Sequence, residues 1–135
     1  MRLSTRSEYG VRAMVALAVA FGDRPVSLND IAEKENLSLS YLEQLIGPLR
    51  RAGLVTGVRG AYGGYRLARP PEQITVGEVM RPLESIALTD CTDPQASADC
   101  CQRSPTCPAR SVWVRVRDNI AATLDATTLA DLCHQ

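Results

Sequence analysis

The sequence has few aromatic residues, a single histidine and no apolar run long enough to cross a bilayer. Phe, Trp and Tyr make up 4% of its 135 residues, so we expect a core of Leu, Val, Ile and Ala, as in small helical domains. The histidine, His134, is next to last, and neither a Cys-x-x-Cys pair nor a nucleotide-binding glycine motif occurs. Because no nucleophile and base can be paired, we expect a protein that is not an enzyme.

Acidic residues are missing from the middle of the chain. The net charge is zero, yet no Asp or Glu occurs between Glu43 and Glu72. That interval contains Arg50, Arg51, Arg59, Arg66 and Arg69. Local charge rather than total charge attracts phosphate. The sequence therefore predicts a basic central surface, followed by an acidic segment that contains Asp90, Asp93 and Asp99.

The first third of the chain predicts three helices. Thr5 and Glu8 are spaced as a capping box, and Ser27 and Ser38 mark the starts of two shorter helices. The third helix has apolar residues at helical spacing and a polar outer face. Two short helices joined by a tight turn form a helix-turn-helix. We expect base contacts from the outer face, since Gln pairs with adenine, Glu with cytosine and Ser with either; the candidates are Ser38, Ser40, Tyr41, Glu43 and Gln44.

A glycine-rich hairpin follows the third helix. Extended segments around Val55 and Leu67 flank several glycines, a pattern typical of a β-hairpin. A hairpin placed directly after a helix-turn-helix is a wing. The predicted fold class is therefore mainly α: a winged helix-turn-helix with a small β-hairpin wing and a long C-terminal dimerisation helix. We expect DNA contacts from the wing and the end of the third helix, at Arg50, Arg51, Arg59, Gly60 and Tyr62.

The C-terminal part predicts a long helix that needs a partner. Pro108 suits its first turn, and an apolar residue recurs every fourth position, at Val112, Val116, Ile120 and Leu124. This stripe either folds back on the first helix or pairs with a second copy; we favour a homodimer, because two-fold symmetry matches palindromic DNA sites. We predict a DNA-binding domain over residues 1–83 and a sensor and dimerisation region over 84–135. Cys133 and His134 are expected at a frayed end without a ligand role.

Four of the five cysteines, namely Cys91, Cys100, Cys101 and Cys107, lie in one polar loop before that helix. We expect a cytoplasmic protein, since cleavage of an apparent signal peptide would remove the first helix. Cysteines clustered in a cytoplasmic protein are more often metal ligands or redox groups than structural disulfides. Three interpretations remain open at this point: an iron-sulfur cluster, a zinc site and a metal-free thiol switch.

Several sequence strings resemble one family over nearly the whole chain. They cover residues 1–4, 38–45, 53–55, 59–65 and 76–79. The chain is similar there to bacterial winged-helix iron-sulfur transcription regulators of the IscR/NsrR type. The resemblance implies a homodimeric transcription regulator that binds double-stranded DNA, and symmetry suggests a pseudo-palindromic operator. It also implies that Arg59 enters the minor groove, where arginine senses groove width.

The resemblance further implies an iron-sulfur cluster, 2Fe-2S or 4Fe-4S, on three cysteines. Cys101 and Cys107 match the evenly spaced family pattern, whereas Cys91 lies farther upstream and completes the set. Cys100 is an extra thiol and an alternative to Cys101. We rank the cluster first, zinc second and the metal-free switch third, since structural zinc sites use close Cys-x₂₋₄-Cys pairs that this loop lacks.

The fourth ligand is where the chain departs from one branch of the family. Arg110 occupies the position of a histidine ligand three residues after the third cysteine. In the other branch an acidic residue of the partner subunit's first helix takes this role, and Glu8 occupies that position. A carboxylate is acceptable on iron, and a weakly held oxygen ligand would leave one iron open to a small molecule.

Overall fold

The computed structural model describes residues 2–96, 101–103 and 105–133. Within these ranges it contains six helices and one two-stranded antiparallel sheet, which confirms the expected fold class. No helix in the described part is long and apolar enough to span a membrane. The elements are α1 (Thr5–Val19), α2 (Leu28–Glu35), α3 (Leu39–Arg51), β1 (Val55–Val58), β2 (Gly64–Leu67), α4 (Val76–Met80), α5 (Arg110–Ala126) and α6 (Leu129–Cys133).

Each of the first three helices begins after a serine that caps it. The hydroxyls of Ser4, Ser27 and Ser38 accept backbone N–H groups at 3.2, 3.1 and 3.1 Å. Such caps satisfy N–H groups that have no partner within the helix. The predicted starts at Ser27 and Ser38 are confirmed. The capping box of Thr5 and Glu8 is wrong, because Ser4 is the cap and Glu8 lies one residue beyond the position that could reach back to it.

The core is built around α1, with side chains from α2, α3, the hairpin, α4 and α6, and among the described residues it contains no fully buried aromatic ring. Its aliphatic composition confirms the expectation drawn from the scarcity of aromatics. The largest fully buried side chains are Met14, Leu17, Ile31, Leu42, Leu45, Leu49, Ile74, Val79 and Leu129. Leu129 is the last of these in the sequence, so the C-terminal segment shares one core with the helix-turn-helix.

Backbone hydrogen bonds fix the hairpin wing to the helix-turn-helix. Val26, just before α2, donates its N–H to the carbonyl of Tyr65 and accepts the N–H of Tyr65, both at 2.8 Å. Gly64 lies against this pair with a φ of +154°. A Cβ on Gly64 would overlap the backbone carbonyl of Val26. Gly64 therefore permits the close approach that holds the wing in place.

The variant Gly64→Ala is expected to lower the free energy of unfolding by about 1–3 kcal/mol, the range for local backbone strain. The added methyl group would push β2 away from Val26 and break two hydrogen bonds. Gly57→Ala is the matched control, since its methyl group would meet the Tyr65 ring at an ordinary 3.5 Å. Urea unfolding of both variants measures the difference. Equal stabilities would contradict the close approach.

The chain returns to the core after α5. The N–H of Val76 donates to the carbonyl of Thr127, and the N–H of Leu129 donates to the carbonyl of Ile74, both at 2.9 Å. The expectation of a frayed end at Cys133 is wrong, because this short pairing seats α6 against α1 and leaves Cys133 half-buried. Burial raises the pKa of the Cys133 thiol, and the nearby carboxylate of Glu72 raises it further. His134 lies outside the described residues.

A bidentate ion pair joins α5 to α4. Both terminal nitrogens of Arg81 donate to the carboxylate of Asp125 at 2.8 Å. Gly77 leaves room for this contact, because a Cβ there would overlap the Asp125 carboxylate. The hydrogen bonds from Arg81 hold the pKa of Asp125 below its usual range. The pair therefore ties the C-terminal end of α5 to the C-terminal end of α4.

Replacing Asp125 with Asn is expected to lower the unfolding free energy at pH 7 by about 0.2–1 kcal/mol, the range for exposed pairs. Because the folded pKa of Asp125 is lowered, its stabilisation is present above the unfolded pKa of about 3.9 and is lost as the pH falls through the folded value. The difference in unfolding free energy between wild type and variant should thus shrink as the pH falls below about 4, which is the unfolded pKa of an aspartate. Thermal unfolding at several pH values measures it; a difference independent of pH would contradict the assignment.

Candidate nucleic-acid interface and cysteine segment

Helix α3 has one buried and one exposed face. Its buried face consists of Leu42, Leu45, Ile46 and Leu49. Four polar side chains on the exposed face form no hydrogen bond or ion pair with any described residue; they are Ser40, Glu43, Gln44 and Arg51. Ser38 stands at the start of α3, where its hydroxyl is engaged as the cap. The geometry leaves this face accessible, and its base contacts stay a prediction.

Tyr41 differs from the other candidates on α3, because it is half-buried. Its ring meets the Tyr9 ring edge-on, with centroids 6.2 Å apart. Its hydroxyl lies 3.4 Å from that of Thr5 at the start of α1. Tyr41 thus marks the side of α3 that faces α1, and its contact with DNA stays a prediction.

The wing tip between the strands presents Arg59 and Tyr62 to solvent; the Tyr62 side chain is 79% exposed. Gly60 adopts a φ of +112° and its carbonyl accepts the N–H of Gly63 at 3.0 Å, which closes the tip. Arg50 lies on the wing side of α3, close to Gly57 of β1. The wing and the exposed face of α3 therefore form one continuous surface, whose DNA contacts remain predicted.

The described cysteines of the loop are not in disulfides. Cys91 lies in a one-turn 3-10 helix (Asp90–Thr92), half-buried, with its Sγ 3.1 Å from the hydroxyl of Thr89. Cys107 is also half-buried, whereas Cys101 is exposed. Cys100 lies outside the described residues. The structure therefore presents three thiols from one segment, two of them half-buried and one exposed.

Two arginines of α5 hold this segment. The backbone N–H of Arg110 donates to the carbonyl of Cys107 at 3.2 Å, and its side-chain Nη2 donates to the carbonyl of Cys91 at 3.5 Å. Arg117, two turns along, donates from Nη1 to the carbonyl of Thr92 at 2.9 Å. In the sequence, Arg110 is recognisable only as the residue that stands where one branch of the family has a histidine ligand. In the structure it contacts the backbone of two of the three candidate ligands.

The carboxylate of Asp93 is fixed within the same segment. It accepts the hydroxyl of Ser85 at 2.6 Å and the N–H of Gln95 at 2.8 Å. The Ser85 bond, followed by the Gln95 bond, holds the pKa of Asp93 below its usual range. Asp93 therefore keeps its negative charge beside the cysteines, as the acidic composition of the segment predicted.

No three His, Cys, Asp or Glu side chains of the described residues lie close enough together to hold a metal within one chain. Glu8 is exposed on α1, and its carboxylate has no hydrogen-bond or ion-pair partner in the described part. Arg110 cannot replace the family's histidine as a ligand, since guanidinium has no lone pair to donate. The ligand roles of Cys91, Cys101, Cys107 and Glu8 stay predictions.

The helix-turn-helix, the attached wing and the long exposed helix α5 define a winged-helix DNA-binding regulator. The family model described as Rrf2, iron-dependent transcriptional regulator, matches residues 3–135. The chain therefore belongs to the Rrf2 family. The resemblance inferred from the sequence is confirmed at this level.

Individual relatives support the assignment. The transcriptional regulator CymR of Bacillus subtilis is 44% identical over 98% of this chain and 89% of its own length. The structure of CymR, the global cysteine regulator of B. subtilis, superposes with a TM-score of 0.79 at 42% identity, covering 99% of this chain and 97% of CymR. IscR of T. potens gives 0.77 at 46% identity, covering 98% and 85%. The protein is thus a DNA-binding transcription regulator and not an enzyme.

Proposed function

We propose that the protein is a homodimeric regulator whose affinity for DNA depends on an iron-sulfur cluster bound by Cys91, Cys101 and Cys107. The observation that supports this most is that three thiols outside disulfides share a segment attached to α5. Thiolates are the usual ligands of such clusters, so the chemistry of the donor set fits. The family description as iron-dependent and the likeness to IscR agree with it.

The exposed apolar surface of α5 supports the proposed dimer. This 17-residue helix has no buried residue in the single chain. Val112 and Trp113 are 47% and 38% exposed, and large exposed apolar side chains on one helix commonly mark an interface. A second copy of α5 would cover them. Glu8 of the partner subunit is then available as the fourth ligand, because its carboxylate is exposed and unengaged in the described part.

Helix α5 also connects sensing to DNA binding. Arg110 and Arg117 hold the cysteine segment, and Asp125 holds α4. A change in the segment can therefore shift the two DNA-binding units of the dimer relative to each other. Cluster binding and DNA binding are linked when each favours the same arrangement. A tenfold response needs a coupling of only about 1.4 kcal/mol.

The DNA site follows from two-fold symmetry. The exposed residues of α3 would contact base edges in two half-sites about one helical turn apart, and Arg59 of each wing would enter the adjacent minor groove. Arg50 and Arg51 would contact phosphate. Together the half-sites would form a pseudo-palindromic operator, and we propose that the protein acts in the cytoplasm, where the bacterial chromosome lies.

The test is anaerobic purification followed by metal and sulfide analysis and absorption spectroscopy. Iron with equimolar sulfide and visible absorption bands would support the proposal. Glu8→Ala should then change the spectrum and lower stability by no more than the roughly 0.3–1 kcal/mol of a first-turn carboxylate, because Glu8 is not the helix cap. Glu33→Ala, an exposed glutamate on α2, is the matched control and should leave the spectrum unchanged.

A zinc-bound or metal-free thiol switch is the second candidate. It is supported by the likeness to CymR, which is named the global cysteine regulator of B. subtilis, a name that refers to cysteine and not to iron. This candidate predicts a colourless protein. Stoichiometric zinc, or DNA binding that responds to thiol oxidation in metal-free protein, would replace the iron-sulfur proposal.

A further inference from the structure

An open groove lies beside α3 on the side opposite the wing. It has a volume of about 730 Å³ and lies between the start of α1, the end of α3 and α4. Three of its lining residues are arginines, and one is acidic: Arg6, Arg51, Arg81 and Glu78. Local positive charge of this kind attracts anions although the whole chain is neutral.

Two of the arginines are available to a ligand. Arg81 is held by Asp125 on both terminal nitrogens, and Glu78 is paired with Arg69. Arg6 and Arg51 are exposed, and neither has a hydrogen-bond or ion-pair partner among the residues that the structure describes. Glu78 is thus neutralised by Arg69, which does not line the groove. The positive charges of Arg6 and Arg51 therefore have no opposite charge paired with them among the described residues.

The groove continues the exposed face of α3. Tyr41 and Pro48, two turns apart, mark the side of α3 toward α1, since Tyr41 contacts Thr5 and Pro48 lines the groove with Arg6. Arg50 marks the opposite side, near Gly57 of the wing. The exposed face of α3 is therefore flanked by Arg50 on one side and by Arg6 on the other.

This arrangement matches the shape of duplex DNA. The major groove is about 12 Å wide and admits one helix, so a helix inside it has a phosphate strand on each side. The wing side offers Arg50 to one strand. The other strand would pass over the groove that contains Arg6 and Arg51. Charge complementarity and continuity with α3 both identify this strand as the occupant.

We propose that Arg6 and Arg51 bind the backbone phosphates of the DNA strand opposite the wing, so that α1 is part of the DNA interface. The inference rests on the proposed insertion of α3 into the major groove. Phosphate contacts add affinity and fix the orientation of the protein without selecting sequence. Arg6 therefore sets how firmly the dimer binds any duplex, whereas Gln44 sets which duplex it prefers.

The test compares the salt dependence of DNA binding for wild type, Arg6→Gln and Arg6→Lys. The slope of log K against log salt concentration falls in magnitude by about 0.9 per lost phosphate contact, or about two per dimer for Arg6→Gln. Arg6→Lys should keep the wild-type slope. Arg6→Gln should weaken operator and random duplex by similar factors. Arg24→Gln, which removes the same charge from the exposed turn between α1 and α2, is the control and should bind as wild type does.

Two results would overturn the inference. The first leaves the proposed function intact, whereas the second overturns it as well. If the wild type binds DNA and Arg6→Gln shows an unchanged slope, only the phosphate role of Arg6 fails. If the wild type binds no duplex even at low salt, the proposed function fails with it. Circular dichroism of Arg6→Gln confirms that the comparison is made between folded proteins.

Discussion

Replacing Cys107 with serine is expected to reduce the iron bound per protomer to near zero in protein purified without oxygen. A serine hydroxyl is a poor substitute for a thiolate on iron, so the proposed ligand set of Cys91, Cys101 and Cys107 would lack one thiolate. The regulatory difference in DNA affinity should disappear with the iron. Iron and sulfide analysis, with DNA binding measured on the same samples, tests this.

Cys133→Ser is the matched control for that experiment. Cys133 lies in α6, packed against the core beside α1, and its raised pKa leaves it a protonated thiol at neutral pH. Serine there should leave the iron content unchanged. Equal iron in Cys107→Ser and wild type would remove Cys107 from the ligand set. Comparing Cys100→Ser with Cys101→Ser would show which neighbouring thiol is used.

Leu129→Ala is expected to lower the free energy of unfolding by about 2–5 kcal/mol, the range for a buried leucine replaced by alanine. Leu129 is 0% exposed and belongs to the same core as Met14 and Leu17 of α1. Removing its side chain leaves a cavity where α6 packs against α1. The midpoint of urea unfolding should therefore fall markedly.

Leu39→Ala is the corresponding control, since Leu39 is 37% exposed. It should cost much less than Leu129→Ala. A small effect of Leu129→Ala would mean that α6 does not share the core and that the C-terminal segment is independent of the DNA-binding part. The predicted boundary at residue 83 separates two functions, DNA binding and sensing. This measurement tests a different question, namely whether residues 1–83 and 84–135 unfold together.

Local chemistry explains why much of the fold was predictable. Ser27 and Ser38 precede apolar residues at helical spacing, and a serine hydroxyl there satisfies free N–H groups. The hairpin followed from glycines between extended segments. Helix α6 was missed because five residues are too few to show a period. Its position depends on backbone pairing between Thr128 and Thr75, which are distant in the sequence.

The candidate site was predictable only in its residue types. Helical spacing placed Tyr41 with the polar face of α3, but its ring packs on Tyr9, and no spacing rule identifies that contact. Arg110 was recognised only as a departure from a family pattern. Its contacts with the backbone of Cys91 and Cys107 depend on how the loop meets α5. Arg6 lies far in sequence from Arg51, so only the folded chain shows that they share a groove.

Helix α5 is attached near both ends, by Arg110 to the cysteine segment and by Asp125 to α4. At about 1.5 Å per residue its 17 residues span about 25 Å. A tilt of about 5° around one end of a helix of this length moves its other end by about 2 Å. Shifts of this size at subunit interfaces are enough to switch regulatory proteins. In the proposed dimer, the helix would convert a chemical event at the thiols into a change of angle between the two recognition helices.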